Sequence, residues 1–392
     1  MSFSQKRLSN IPGFSIDRVA ASAGSDPDVL RLENLDCDLS PPSEAIDATR
    51  SALREDGANS YLPFNGTIAL REAVADRLFA STGKRYDPDT QIIITCGGTE
   101  GMLDALLGVT EPGDEVIVTD PTYAGMIYRI RLAGCVPRFV PFLDSRGEWR
   151  LSLDDLSKAV SDKTRALFLM NPSMPSGAVL NEEEWKLIQQ LCVNRSLLLL
   201  YNAAMERILF DGRKVIHPAS LDGMEEHTIT IGSVSKEFRM IGWRIGWVAG
   251  PPDIMQDISR VHIYNVVTAT GIAQPGAIAA LRSDETDFRR CLDEWQSRRN
   301  MVREQLEDYP IIRPDGGWSL LLDVKSLGLD SFSASDLLLA KGKIAATPMR
   351  DWGSATCDRF VRLVFSNEPL RRLSSLRGRF LKALPLPHQG EQ

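Results

Sequence analysis

The sequence predicts an α/β protein in which a doubly wound, mostly parallel sheet forms a large domain and a smaller α+β domain follows it. Three observations carry this expectation. Short, almost wholly apolar runs recur between helix-like or loop stretches, as strands buried on both faces of a parallel sheet do. Near residue 284 the texture changes to a long, highly charged helical stretch. The length of 392 residues also exceeds what one domain usually needs.

Taken in order, residues 1–45 are the hardest to place and are assigned to an N-terminal segment that packs with the small domain. Residues 43–80 carry helical periodicity on both sides of the loop NSYLPFNG, which is rich in turn formers and aromatics. QIIIT (91–95) is a β-rich run ending at CGGTEG, so strand, glycine turn and helix follow one another. The same kind of run returns as EVIVTD (115–120), RALFLM (165–170), SLLLLY (196–201) and TITIGS (228–233), which fills a large domain over residues 46–283. The stretch DFRRCLDEWQSRRNMVREQL opens the second domain, 284–392, which continues through GGWSLLLDVKSLG, the helix-like SASDLLLAKG and FVRLVFS. No Gly, Ser or Pro tract separates the two domains, so a helix is expected to join them. No repeat is seen at solenoid periods. The polar, proline-spaced LPLPHQGEQ at the end reads as a frayed tail.

Composition excludes several classes. With 43% hydrophobic and 25% charged residues there is ample material for a sizeable core. The net charge of −7, without a dense basic block, makes nucleic acid an improbable partner. Six cysteines lie far apart with no CxxC and read as reduced, mostly buried thiols. Lys6 and Arg7 are not followed by the apolar run of a signal peptide, and no stretch approaches 18 apolar residues. A cytoplasmic protein with no membrane partner is expected. The four histidines show no pair at metal-ligand spacing, and GxSxG, GxGxxG and GxxxxGK[ST] are missing, so no metal is expected.

One segment stands out chemically: GSVSKEFRMIGWRIGW, residues 232–247. A strand delivers Ser233, Ser235 and Lys236 into a turn, and Arg244 follows eight residues after the lysine. A lysine fixed at a strand end can form a Schiff base with an aldehyde cofactor, while neighbouring hydroxyls and a guanidinium can hold a dianionic phosphate. The arrangement resembles the pyridoxal-phosphate signature of class I/II aminotransferases, S-x-S-K followed by G-x-R-x-G. Further along the chain, TCGGTEGM (95–102) follows a strand and opens a helix, so the backbone N–H groups of Gly98, Thr99 and Glu100 face an anion at a helix N-terminus. In the family this is the phosphate cradle. DPTYAGMIY (120–128) is similar to the segment whose ring, here Tyr123, stacks on the pyridine. YLPFNGTIALREA resembles the segment whose tyrosine, here Tyr61, reaches the cofactor phosphate of the neighbouring subunit, with Thr268 and Thr270 nearby. FVRLVFS looks like the closing strand whose arginine, here Arg362, clamps the substrate α-carboxylate; Arg359 falls on the opposite face by strand alternation. In GGWSLLLD, Trp318 is a pocket wall or simply core.

The resemblance therefore implies the aspartate aminotransferase fold (fold type I). Its large domain has a seven-stranded type of sheet and binds pyridoxal 5′-phosphate on Lys236, and its active sites are shared across a homodimer. It implies an aminotransferase acting on an L-amino acid and a 2-oxo acid in amino acid metabolism or biosynthesis. Three positions depart from the family pattern. Met174 in NPSMPSG replaces the asparagine that reaches the cofactor's phenolic oxygen. In YNAAMERILFDG, Asn202 replaces the aspartate at the pyridine nitrogen and Met205 replaces the tyrosine near the phenolic oxygen. An amide can hydrogen-bond to the ring nitrogen but supplies no charge. These departures motivate an alternative, a pyridoxal-phosphate-dependent elimination, cyclisation or synthase reaction, and a lesser one, a binding protein without catalysis.

Overall fold

The computed structural model of the chain describes residues 8–386, residues 10 and 14 excepted. Of the tail expected to fray, residues 387–392 lie outside the described residues. Helix α1 (Ser15–Ala23) and the two-residue strand β1 (Leu30–Arg31) precede α2 (Ser43–Ala52) and α3 (Ile68–Thr82). Strand β2 (Ile92–Thr95) turns into α4 (Gly98–Val109), and β3 (Glu115–Asp120) into α5 (Ala124–Leu132). A hairpin of β4 (Val136–Ser145) and β5 (Glu148–Leu151) leads to α6 (Leu153–Ala159), β6 (Thr164–Met170), α7 (Glu182–Arg195) and β7 (Leu198–Asn202). Strands β8 (Thr228–Ser233) and β9 (Gly246–Ala249) complete the sheet, and α8 (Pro252–Val266), α9 (Gln274–Leu281) and α10 (Glu285–Gln305) follow.

The strands stand in the order β2, β9, β8, β7, β6, β3, β4, β5. Five of them, β4 through β8 by way of β3, run parallel. Strand β9 lies antiparallel between β8 and β2, and β5 is an antiparallel edge strand on β4. The body is thus seven-stranded with a hairpin strand added. Strands β3, β6, β7 and β8 are buried almost throughout, which is why their apolar runs are readable. Three strands of this sheet were not anticipated. β4 sits near the edge and is half exposed, so no apolar run marks it; β5 is four residues long; β9 is embedded in the segment read for its lysine and arginine.

The rest of the chain holds β10 (Ser319–Asp323), α11 (Ser331–Gly342), β11 (Ile344–Ala345), β12 (Thr347–Pro348), β13 (Phe360–Val364), α12 (Leu370–Leu373) and α13 (Leu376–Ala383). Strands β10, β13 and β12 form a small antiparallel sheet. Strand β1 pairs in parallel with β11, and the Val364 N–H donates to the Leu32 carbonyl at 2.9 Å, so the start of the chain is fastened beside this sheet. Helix α10 looks solvent-bound by composition, yet Arg298 and Arg299 are buried because they pair with Asp38 and Asp211 at 2.6 Å each. One apolar cluster runs from the large sheet (Phe168, Leu200) to the small one (Leu322, Phe365).

What positions chemistry is the carboxyl edge of the parallel strands. Asp120, Met170, Asn202 and Ser233 end β3, β6, β7 and β8, and the register sets Met170 directly beside Asn202. Ligands of open α/β sheets bind in the crevice outside that edge.

Candidate active site at the carboxyl edge of the sheet

A cavity of about 270 Å³ opens there. It is bounded by the strand ends, the first turn of α4, the turn from Ser233 to Arg244, the 34–35 loop, Ile16 of α1, Trp352 and Arg362. A larger hollow of about 640 Å³ between Arg146, Arg303 and Glu307 gathers none of the groups singled out in the sequence, so chemistry rather than size assigns the site.

At one end the cavity is a cradle for an anion. No side chain caps α4, so its first N–H groups lack side-chain acceptors. Gly97, at φ 75°, precedes them, and a Cβ there would strike the Arg244 guanidinium. A Cβ on Gly246 would run into the backbone of Gly97 and Gly98, so both positions require glycine. Arg244 adopts a left-handed conformation (φ 54°) and donates from Nη1 to the Ile241 carbonyl at 3.0 Å and toward Ser235 Oγ at 3.4 Å. Ser233 Oγ accepts from the Ser235 N–H at 3.0 Å and lies 2.8 Å from Ser235 Oγ. Among the described residues no acid pairs with Arg244. A cation, two hydroxyls and a helix N-terminus converge on one point, and they suit a dianionic phosphate.

Glu100 belongs to this cradle through its backbone only. Its carboxylate turns away, accepting from the Cys96 N–H at 2.5 Å and lying 2.7 Å from His262 Nδ1, while His262 Nε2 lies 2.9 Å from the Phe64 carbonyl. Burial pushes Glu100 up to about 7. Burial alone would lower His262, but the neighbouring carboxylates of Asp104 and Glu100 carry it up to about 9.

Lys236 sits at the turn after β8, and its Nζ donates to the Leu35 carbonyl at 2.7 Å. Burial pulls its ammonium down to about 8; Arg362 and Arg244 add to that effect and Asp36 opposes it. The amine is therefore far more available as a nucleophile at neutral pH than a solvated lysine. Arg362, on β13, is fully buried. Its Nη2 donates to the Glu33 carbonyl and to Thr347 Oγ1 (3.2 Å), its Nη1 lies 3.9 Å from Met174 Sδ, and its Nε has no partner. No carboxylate pairs with it among the described residues, and burial pushes it down to about 9. Since a buried charge is costly unless paired, an unpaired buried guanidinium facing a cavity fits a site that receives an anion. Arg359 instead pairs with Asp323 on the outside.

Tyr123 precedes α5 and lies 6.1 Å, centroid to centroid, from Trp352, whose ring stands 4.6 Å from the Arg362 guanidinium carbon. Opposite, the strand ends present Asn202 and Met170, the loop after β6 presents Met174, and α4 presents Met102. The Asn202 Oδ1 accepts from the Ala204 N–H at 3.1 Å, which fixes the amide so that Nδ2 points toward Met102 Sδ, 3.5 Å away.

The cavity thus brings together Gly98, Thr99, Tyr123, Met174, Asn202, Ser233, Ser235, Lys236, Arg244 and Arg362. Besides Glu100, Thr268 and Thr270, three of the residues read from the sequence are not on its lining. Met205 is buried toward Gly317. Trp318 is buried against Trp295 at 5.1 Å and stands 5.2 Å from Lys236 Nζ, behind the lysine. Tyr61 is 84% exposed on the outer surface of the chain. Conversely Ile16, Asn34, Leu35, Met102 and Trp352 were missed. Met102 was legible, one helical turn after Gly98; the others come from segments without periodicity or motif.

Comparison with known proteins identifies the family. The profile of the family described as aminotransferase class I and II matches residues 27–375. An aromatic-amino-acid aminotransferase 2 of Thermococcus litoralis is 33% identical over 336 residues, covering 84% of this chain and 85% of the relative. An aspartate aminotransferase of Pyrococcus abyssi is 31% identical and covers 92% of this chain and 93% of its own. Among solved structures, the N-succinyldiaminopimelate aminotransferase of Mycobacterium tuberculosis superposes with a TM-score of 0.89 at 29% identity, covering 95% of this chain and all of that one.

Proposed function

The chain belongs to the class I and II aminotransferase family, and from that premise we propose how its own residues carry out the family's reaction. It is a pyridoxal-phosphate-dependent enzyme, an aminotransferase of the aspartate aminotransferase fold. The donor set fits the cofactor, since the Gly97 cradle admits a phosphate and nothing larger than hydrogen on the glycine. When bound, pyridoxal phosphate supplies an aldehyde that condenses with primary amines and a conjugated ring that spreads the electron pair left after loss of the α-proton.

Arg244, Ser233, Ser235 and the N–H groups of Gly98, Thr99 and Glu100 hold the phosphate. Lys236 would hold the cofactor through its amine, and the same amine, when free, would move the proton at the substrate Cα. Arg362 grips the α-carboxylate with its two-pronged fork, and Tyr123 covers the ring face. Asn202 would offer its amide N–H to the ring nitrogen, because its oxygen is already engaged by Ala204. Met174 and Met205 offer no donor to the phenolic oxygen, and Trp318 backs the lysine. The observation that carries this reading is one lysine of lowered pKa between an unpaired buried arginine and an anion cradle. Its test mixes the purified yellow enzyme with a panel of amino acids and follows products by mass spectrometry. A 2-oxo acid with pyridoxamine phosphate is expected; elimination or cyclisation products alone would overturn it.

We further propose that the chain works as a homodimer with residues 1–45 and 284–392 forming a small domain beside the large one. Tyr61 (84% exposed), Tyr264 (91%), Phe64, Ile68 and Val267 make an apolar, aromatic face, knit by the Thr268 hydroxyl to the Pro63 carbonyl at 3.2 Å. Such a face supports a second copy whose Tyr61, Thr268 and Thr270 complete the neighbouring site. Mixing Tyr61→Phe with Lys236→Ala protein under subunit exchange gathers both defects in one site, so activity recovers; a monomeric, fully active enzyme contradicts it. The free thiols support a reducing compartment, the cytoplasm.

A further inference from the structure

The walls of the cavity that no cofactor group requires identify the substrate side chain. Resting on the aminotransferase reading, the substrate has its α-carboxylate on Arg362 and its α-amino group at Lys236. The lining left to its side chain includes Ile16, Asn34, Leu35, Ile241 and Trp352, apolar but for one amide. The charged groups lining the cavity, among the described residues, are Lys236, Arg244 and Arg362, and each already has a task. A second carboxylate would enter without a cation to receive it. A side-chain ammonium or guanidinium would find no acid on the lining. Asp36, the acid whose field reaches Lys236, lies off the lining, and its Oδ1 accepts from the Cys37 N–H at 2.8 Å. Desolvating an unpaired charge is costly, whereas burying apolar surface there is favourable.

We propose that this enzyme takes amino acids with uncharged, apolar side chains, aliphatic, thioether or aromatic, and that Ile16, Leu35 and Trp352 set that preference. Trp352 acts twice. Its ring lies over the Arg362 guanidinium at 4.6 Å and faces Tyr123, closing an aromatic corner around the clamp. Its indole N–H also donates to Ser15 Oγ at 3.4 Å, and its carbonyl accepts from the Thr122 N–H at 2.9 Å. The helix that supplies Ile16 is thereby fastened over the cavity, so apolar wall and carboxylate clamp are assembled by one residue.

Two measurements on the holoenzyme test this. In the first, carboxylic acids without an amino group compete for the site: 4-methylpentanoate and 3-phenylpropanoate against succinate and 6-aminohexanoate, read by the change in cofactor absorbance. The apolar acids are expected to bind tighter by about tenfold or more. In the second, the kcat/KM values of leucine, methionine and phenylalanine should exceed those of aspartate, glutamate and lysine. Ile16→Lys should move the ratio of aspartate to leucine upward by about tenfold or more, and Trp352→Ala should weaken every carboxylate while narrowing the preference. Partial misfolding lowers all substrates alike and leaves the ratios in place. A lead for aspartate, glutamate or a basic amino acid overturns the inference. If no amino acid yields a 2-oxo acid, the aminotransferase reading fails, yet the ranking of the four acids still decides this one.

Discussion

The two ends of the cavity are built to different rules. At the phosphate end every group of the signature is present and interlocked: glycines that Arg244 and the backbone leave no room to enlarge, paired serines, an uncapped helix. At the strand-edge end an amide and a thioether, Asn202 and Met174, stand where the family pattern has an acid and an amide. The difference teaches that anchoring and electronic tuning are separable. The anchor depends on close approach and fixed charge, so little can change without losing the ligand. The ring's surroundings alter rates and acidities, which can shift by degrees.

The largest effect is expected at the lysine between the two ends. Lys236→Ala should lose turnover by several orders of magnitude while the protein still binds pyridoxamine phosphate, measured by calorimetry, because the cradle is untouched. Loss of that binding would erase the separation of anchor from chemistry. In cofactor-free protein, the rate of reconstitution with pyridoxal phosphate should rise as pH climbs through about 8, where the buried amine loses its proton. Next comes Arg362→Lys, which keeps a charge but loses the fork. Removing half of a desolvated charge pair costs roughly 2–5 kcal/mol, so substrate KM should rise steeply with cofactor occupancy unchanged. Arg359→Lys, already paired with Asp323, should do nothing to KM.

Much of the anchor was legible because it is local in sequence. A strand, a turn and fixed spacings place Ser233, Ser235, Lys236 and Arg244 within twelve residues, and the buried strands announce themselves as apolar runs. The substrate end was not legible in the same way. Ile16, Leu35 and Trp352 reach the cavity through contacts across more than 300 residues, such as β1 on β11 and Ser15 on Trp352, which leave no periodicity. Strand β4, next to the edge, escaped for the complementary reason, since its half-exposed pattern mixes polar with apolar positions. Arg298 and Arg299 belong to a charged helical stretch, and only their distant partners Asp38 and Asp211 explain their burial.

A smaller effect sharpens the contrast at the strand edge. A carboxylate at position 202 would favour a protonated ring nitrogen and a stronger electron sink, and each 1.4 kcal/mol of barrier is worth about tenfold in rate. Asn202→Asp should therefore speed the half-reaction with a good amino donor, measured by stopped-flow absorbance, while phosphate affinity stays the same. A slower aspartate variant would show that Met102, Met170 and Met174 have been fitted to the neutral amide and that this end is specialised as tightly as the other.

The smallest effect concerns how the anchor itself is held. His262 bridges Glu100, in the first turn of α4, to the Phe64 carbonyl, and Asp104 Oδ2 lies 3.7 Å from its Nδ1 without a hydrogen bond of its own. The folded protein binds the His262 proton up to about 9, against 6.5 ordinarily, so the stabilisation is complete below about 6.5 and is lost as pH rises through about 9. Glu100, raised by burial to about 7, acts in the same direction at lower pH, because folding favours its protonated form. Lys236 acts oppositely in cofactor-free protein, so the informative quantity is the difference between wild type and His262→Gln. That difference in unfolding midpoint should shrink steadily between pH 6.5 and 9, and phosphate affinity should fall with it as the first turn of α4 loosens. A difference that does not vary with pH would mean that His262 packs here as a neutral ring, and that the cradle owes its rigidity to the glycine and Arg244 contacts alone.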